Sequence, residues 1–325
     1  MVKCGYIGRT ATNREPLVIL LSLVLAAATS APVCGAVWHD AARGRDIPVR
    51  IALPPGKAKV PVVLWSPGLG GDVGGGGVWA AAWTAAGLAV VQMQHAGSDG
   101  TVYRAGGTPG EIKARVMAAA SPEQLLARVG DARFVLTELA TRQAEGACDL
   151  TRIDPGRAAI AGHSMGAWVA QGLAGQRFNG RPMLVDRRFR AAVAFSPTGD
   201  PEAPIGSAAF VGVAIPFLSI TGTFDGVPPS ADPAQQVSAL AARIAPYRSM
   251  SADGSKCLLV LGDATHMMFS GNRLSGVAGA TALHVQEVSS KASAAFLKAA
   301  LAGKRPNITE AITPMLVSGD SLGCK

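Results

Sequence analysis

The sequence predicts an α/β protein with a mostly parallel, doubly wound sheet and helices on both faces. Short apolar runs of strand length alternate along the chain with longer segments of helical composition. Several of these runs are apolar throughout, which is typical of strands covered on both faces. The composition, 49% hydrophobic and 16% charged, indicates a large buried core and excludes a disordered chain.

The predicted elements alternate regularly. The strands are Ile47–Leu53, Val60–Trp65, Leu88–Gln94, Ala158–Ala161, Ala191–Phe195, Ile215–Thr221 and Cys257–Leu261. The helices are Val78–Ala86, Pro122–Arg142, Met165–Gln176, Pro233–Ala245 and His284–Ala302. Gly- and Pro-rich loops at 66–77, 97–110 and 196–212 follow strand carboxyl ends, where open α/β sheets bind ligands. No linker divides residues 37–302, so we expect one domain without a large cap, followed by a tail at 303–325.

Residues 1–36 are predicted to form an export signal that is removed, with cleavage after Ala31, Gly35 or Ala36; Pro32 argues against the first of these. Lys3, Arg9 and Arg14 precede the apolar run Leu17–Ala28, and small residues follow that run. The run is too short to span a membrane comfortably. We therefore expect a periplasmic or secreted protein with no stable membrane span after the signal is removed.

The cysteines are Cys4, Cys34, Cys148, Cys257 and Cys324. Cys4 leaves with the signal, and a boundary at residue 36 would also remove Cys34. A disulfide is plausible in an exported protein. We favour a bridge between Cys257 and Cys324, which would hold a tail that otherwise should fray, and Cys148 is the alternative partner of Cys324.

The segment Gly162–Gly166, Gly-His-Ser-Met-Gly, predicts a nucleophilic serine. It follows the apolar run that ends at Ala161 and leads directly into a helical segment, which is the setting of a nucleophile elbow. Gly162 and Gly166 are needed because a Cβ at either position would clash with neighbouring backbone. The alternative is a Gly-rich turn in which Ser164 caps the helix.

A serine hydroxyl needs a base and an orienting carboxylate, and both follow Ser164 along the chain. Asp225 lies in the loop after the strand Ile215–Thr221, and His266 lies in the loop after Cys257–Leu261. Parallel strands deliver these loops to one sheet edge, so we expect Ser164, Asp225 and His266 to form a catalytic triad.

Other acidic and histidine residues are alternatives or have structural roles. Asp200 is an alternative acid, and Asp263 is expected to tether its loop. His163 is expected to pack and His284 to lie on the surface. His95, at a strand end, is a candidate substrate-binding residue, although a structural role is equally open.

The oxyanion hole is assigned to two backbone amides, those of Leu69 and Met165. Leu69 lies in the glycine-rich loop Ser66–Gly71, and Met165 begins the helix after the elbow. A nucleotide site at Gly75–Ala80 fails because these glycines begin well beyond the strand end. We expect neither a metal nor an organic cofactor.

Nucleic acid is not an expected partner. The formal net charge is +8, but the basic residues are scattered and no nucleic-acid-binding motif accompanies them. The expected partner is a small-molecule or lipid-like ester substrate.

The chain resembles bacterial dienelactone-hydrolase-like proteins related to platelet-activating-factor acetylhydrolase, which are α/β-hydrolases. The resemblance spans roughly residues 38–302 and is carried by the segments Ala42–Val49, Ser66–Gly70, Arg128–Leu136, Gly162–Gly166, Thr221–Asp225 and Gly262–His266. It implies an α/β-hydrolase fold and a serine esterase. The Ser66–Gly70 loop and the elbow are also similar to those of cutinase-type polyester hydrolases.

These observations predict an exported serine carboxylic-ester hydrolase that favours short-to-medium acyl chains. The alternatives are a polyester hydrolase, a peptidase or acyltransferase on the same scaffold, and a non-catalytic binding protein.

Overall fold

The computed structural model describes residues 1, 32–200, 202, 209–272 and 279–325. The predicted signal at residues 2–31 therefore lies outside the described residues. The described residues from Pro32 onward form one compact unit. The strands are β1 Val33–Asp40, β2 Arg45–Ala52, β3 Val60–Ser66, β4 Ala89–Met93, β5 Ala144–Glu145, β6 Cys148–Asp149, β7 Ile153–His163, β8 Phe189–Phe195, β9 Phe217–Phe224, β10 Lys256–Thr265 and β11 Ser321–Cys324.

The α-helices are fewer than the strands and mostly longer. They are α1 Gly77–Ala85, α2 Thr101–Arg104, α3 Pro109–Ala119, α4 Pro122–Glu138, α5 Met165–Ala174, α6 Pro233–Ser249, α7 Ala280–Leu301 and α8 Thr309–Ile312. Within the described ranges, none of these helices is both long and apolar enough to cross a bilayer.

Nine strands form the main sheet, in the order β1-β2-β4-β3-β7-β8-β9-β10-β11. The inner pairs from β4 to β10 are parallel, whereas the β1–β2, β2–β4 and β10–β11 pairs are antiparallel. The predicted mostly parallel sheet is confirmed. Because β3, β7, β9 and β10 run in the same direction, the loops that follow them emerge at one edge.

Helices cover both faces of the sheet, as predicted. On one face, Val129 of α4 and Val169 of α5 pack in a core that includes Leu64. On the other face, Trp83 of α1 and Phe296 of α7 pack in a core that includes Trp65 and Val63. The alternation of Val63, Leu64 and Trp65 between the two cores follows from the two-residue period of a strand.

Several helix boundaries differ from the prediction: α4 ends at Glu138 instead of Arg142, α7 begins at Ala280 instead of His284, and the short α2 lies within the predicted loop 97–110. Helix α3 begins within the segment 97–110, which we predicted to be a loop; Pro109 occupies its first turn, and Thr108 and Glu111 form a capping box. Helix α6 continues through Pro246 to Ser249, although the prediction ends it at Ala245. In α3 and in α6 a proline that the prediction treats as a helix breaker, Pro109 or Pro246, lies within the helix.

The two ends of the folded unit form edge strands that the sequence analysis did not predict. Residues of β1 pair with β2 from Val33 onward, and Cys34 is bonded to Cys148. Residues 33–36, which the prediction includes in the removed signal, thus belong to the folded unit. The predicted end of the signal at residue 36 falls inside β1.

The tail is held by the disulfide that the sequence analysis favoured. Cys324 lies opposite Cys257 in the β10–β11 register, and the two residues are bonded. The predicted pairing is confirmed, and the alternative partner Cys148 is bonded to Cys34 instead. His284 adds a second tie, because its Nε2 lies 2.7 Å from Oδ2 of Asp320.

Candidate active site

Ser164 occupies a strained turn between β7 and α5. Its backbone has φ 55° and ψ −115°, a conformation that non-glycine residues rarely adopt. A Cβ at Gly162 would collide with the carbonyl of Gly166, and one at Gly166 with the carbonyl of Ser66. Glycine is therefore sterically required on both sides of the serine, as the pattern predicts.

A continuous chain of hydrogen bonds connects Ser164, His266 and Asp225. Ser164 Oγ lies 3.0 Å from Nε2 of His266, and Nδ1 of the same ring lies 2.7 Å from Oδ1 of Asp225. With Asp225 ionised, Nδ1 carries the ring proton and donates it, so Nε2 accepts from the serine hydroxyl. The structure thus brings together all three residues that the sequence analysis selected as a triad.

Asp225 remains ionised although it is buried. Burial raises the pKa of Asp225, but the hydrogen bond from His266 and the charge of Arg243 outweigh this effect and hold the pKa below its usual value. Thr221 Oγ1 also donates to Oδ2 at 2.7 Å. The carboxylate is thus fixed in position and keeps its negative charge.

Arg243 of α6 is a site residue that the sequence analysis missed. Its Nε lies 3.2 Å from Oδ1 of Asp225 and donates to the Asp225 carbonyl at 3.1 Å. Its Nη1 donates to the carbonyls of Ser196 and Pro197 at 3.2 and 3.3 Å. This guanidinium joins the loops after β8 and β9. No local pattern distinguishes it from other helical arginines.

His163 packs against the catalytic histidine candidate, consistent with the packing role expected for it. The two rings are 4.7 Å apart, and His163 Nε2 donates to the carbonyl of His266 at 3.0 Å. Burial and the proximity of His266 lower the pKa of His163 to about 3, so this ring is neutral at physiological pH. It braces the backbone of His266.

A cavity of about 480 Å³ opens beside Ser164 and His266. Its lining includes the glycine-rich loop Pro67–Gly71, with Leu69, and also Tyr103.

Among the described groups, neither the Leu69 amide nor the Met165 amide has a hydrogen-bond acceptor. Met165 lies at the first position of α5, where amides and the helix dipole favour negative charge.

His95 does not line this cavity, contrary to one of the two roles considered for it. The side chain is completely buried, with Nδ1 3.0 Å from Asp131 Oδ2 and Nε2 2.9 Å from Ser66 Oγ. Both ring nitrogens are therefore occupied. The substrate-binding expectation is wrong because the side chain turns into the core, and its role is structural.

The two remaining acidic residues also lie outside the triad. Asp200 is exposed and accepts from the amide of Glu202 at 3.0 Å. Asp263 is exposed, and its amide donates to Thr223 Oγ1 at 2.9 Å, which ties the carboxyl-terminal ends of β9 and β10 together.

Comparison with known proteins adds no identification. No protein-family model matches the chain, and no curated protein matches it. The function must therefore be inferred from the site itself.

Proposed function

We propose that this protein is a serine hydrolase that cleaves carboxylic esters. The observation that carries the proposal is the hydrogen-bonded chain from Ser164 through His266 to the buried Asp225, with Ser164 and His266 lining a cavity. Serine hydrolases use the same arrangement, with the serine on a strained turn, to activate a hydroxyl that is otherwise a poor nucleophile.

The sheet supports an α/β-hydrolase fold for the chain. The nucleophile candidate follows β7 in the middle of the sheet, the acid follows β9 and the histidine follows β10. This is the chain order of nucleophile, acid and histidine in α/β-hydrolases. The short α2 and α3 are the main helical additions in the loop after β4, which is consistent with the absence of a large cap domain.

In the proposed reaction, Ser164 Oγ attacks the acyl carbon while His266 Nε2 takes the hydroxyl proton. Asp225 keeps the imidazole in the required tautomer and stabilises the imidazolium. The amides of Leu69 and Met165 bind the tetrahedral oxyanion, and each donor is worth roughly 3 kcal/mol of the barrier. The leaving alkoxide takes the proton from His266, and water then hydrolyses the acyl-enzyme by the same steps.

The cavity volume of about 480 Å³ supports our proposal that the enzyme prefers esters of short-to-medium acyl length. Glycines form much of the cavity wall on the side of Leu69, and Tyr103 and Met267 supply apolar surface.

We place the protein outside the cytoplasm, because two disulfides are most compatible with an oxidising compartment.

The direct test is labelling with a fluorophosphonate, followed by peptide mapping. We expect adduct on Ser164 and loss of both labelling and p-nitrophenyl ester turnover in Ser164→Ala. Adduct on another residue, or ester turnover that survives Ser164→Ala, would overturn the assignment. Faster cleavage of matched p-nitroanilide amides would favour the peptidase alternative, and a rate peak beyond about ten acyl carbons would refute the length preference.

A further inference from the structure

Arg128 of α4 is buried in the core without a carboxylate partner. Its side chain has no exposed surface, and among the described residues no carboxylate forms an ion pair with it. The charges of Asp131 and Asp99 favour the charged guanidinium, but neither carboxylate forms an ion pair with it, and Asp131 is already bound to Arg43, Arg45 and His95. Burying a charge without a direct ion pair is costly, so the contacts that this guanidinium does make require an explanation.

All of these contacts hold two loops at the candidate site. Nη1 donates to the carbonyl of Pro67 at 2.5 Å, and Nη2 donates to the carbonyls of Gly68 and Ser98 at 3.3 and 3.0 Å. Nε donates to Ser98 Oγ at 2.8 Å. The Ser98 carbonyl in turn accepts from the amide of Gly70 at 2.9 Å. The guanidinium thus holds the Ser66–Gly71 loop from the core side, through hydrogen bonds to the carbonyls of Pro67 and Gly68.

The carbonyl of Gly68 and the amide of Leu69 belong to the same peptide plane. In a trans peptide the C=O and N–H groups point in opposite directions. A donor that holds the Gly68 carbonyl from within the core therefore turns the Leu69 N–H away from the core. A cation at the carbonyl end also polarises the peptide and strengthens its N–H as a donor.

A second buried network fixes the start of the same loop. Ser66 Oγ lies 2.9 Å from His95 Nε2, and the ring is bound through Nδ1 to Asp131, one helical turn from Arg128. Burial lowers the pKa of His95 to about 4, so the ring is neutral and accepts from the Ser66 hydroxyl. Burial also lowers the pKa of Arg128 to about 9, and the guanidinium stays charged at neutral pH.

We propose that Arg128 is a positioning residue for catalysis, which orients and polarises the Leu69 amide as an oxyanion donor. The inference rests on the proposed ester hydrolysis. It assigns a functional reason to a buried cation that has no ion-pair partner and lies about 60 residues along the chain from the loop it holds.

The test is Arg128→Met, with steady-state rates divided by the number of sites titrated to completion by a fluorophosphonate. We expect kcat per titrated site to fall about 10- to 100-fold, somewhat less than the loss when an oxyanion donor is removed outright, with KM within about twofold. Arg128→Lys retains the charge but not the forked geometry, so it should give an intermediate kcat and serves where the Met variant does not fold.

The matched control is Arg133→Met on the same helix. Arg133 also donates to a loop carbonyl, that of Leu184 at 2.8 Å, but this loop does not line the cavity. Its removal should leave kcat per site within about threefold of the unsubstituted protein.

A double-variant cycle identifies the atom through which Arg128 acts. Leu69→Pro removes the proposed donor N–H, so Arg128→Met should cost little further kcat in that background. If Arg128 is purely structural, Arg128→Met will lower the melting temperature and leave kcat per titrated site unchanged, and this result would overturn the proposal. Fully additive losses of kcat in the double variant would overturn it as well. Failure of the unsubstituted protein to label at Ser164 would instead refute the proposed function, and this inference with it.

Discussion

Because His163 stays neutral in the folded state, the folded protein should be less stable in mild acid than at neutral pH. Burial and the proximity of His266 lower its pKa to about 3, whereas an unfolded histidine titrates near 6.5. Below pH 6.5 the unfolded chain therefore binds a proton that the folded chain does not. The free energy of unfolding must fall with pH from about 6.5 until the folded pKa is reached.

The size of the effect follows from these two pKa values. Between pH 7 and pH 5 the loss attributable to His163 is about 2 kcal/mol, since each pH unit between the two values costs up to about 1.4 kcal/mol. His95, with a folded pKa of about 4, adds a loss of about 2 kcal/mol over the same range. Carboxylates with lowered pKa, such as Asp253 at about 2, lose their contribution mainly below about pH 4.

The assay is urea unfolding at pH 7 and pH 5 with the disulfides intact. The unsubstituted protein should lose about 4 kcal/mol between these pH values, and His163→Asn should lose only about 2 kcal/mol. His39→Asn is the control for removing a histidine from an exposed position. An unchanged pH dependence in His163→Asn would show that this ring does not titrate as its burial requires.

Three further predictions concern the triad and the two ends of the chain. Asp225→Asn should lower kcat roughly 10³- to 10⁴-fold with little change in melting temperature, because His266 loses its tautomer partner; a loss under tenfold in ester assays would remove Asp225 from the triad. Replacing both Cys257 and Cys324 by Ser opens a 67-residue loop and should cost up to about 4 kcal/mol in urea unfolding, while kcat at 25 °C stays within about twofold; an unchanged unfolding midpoint would refute this. Sequencing of the exported protein should find its amino terminus before Cys34, because this residue is bonded to Cys148, and a start at Val37 would contradict the integration of β1.

Much of the architecture was predictable because the signals that encode it are local. Apolar runs of strand length predicted all of the central parallel strands, and segments of helical composition predicted α1, α4, α5, α6 and α7. The strained turn at Ser164 was also local, because only glycine at positions 162 and 166 avoids collisions within a few residues. The sequence alone thus determined the fold class and the residues that the candidate triad contains.

The tertiary structure decided what depends on contacts between distant residues. The edge strands β1 and β11 form through pairing and disulfides, and β1 carries a composition that suggests a cleavage site when considered alone. Arg243 and Arg128 act on loops 18 and about 60 residues away, and no periodicity marks an arginine for such a contact. The sequence correctly predicts that His95 lies at a strand end. The direction of its side chain depends instead on its hydrogen bond with Asp131, which lies in a later helix. Periodicity reports which face of an element is buried, whereas the partner of a buried polar group is set by packing between elements.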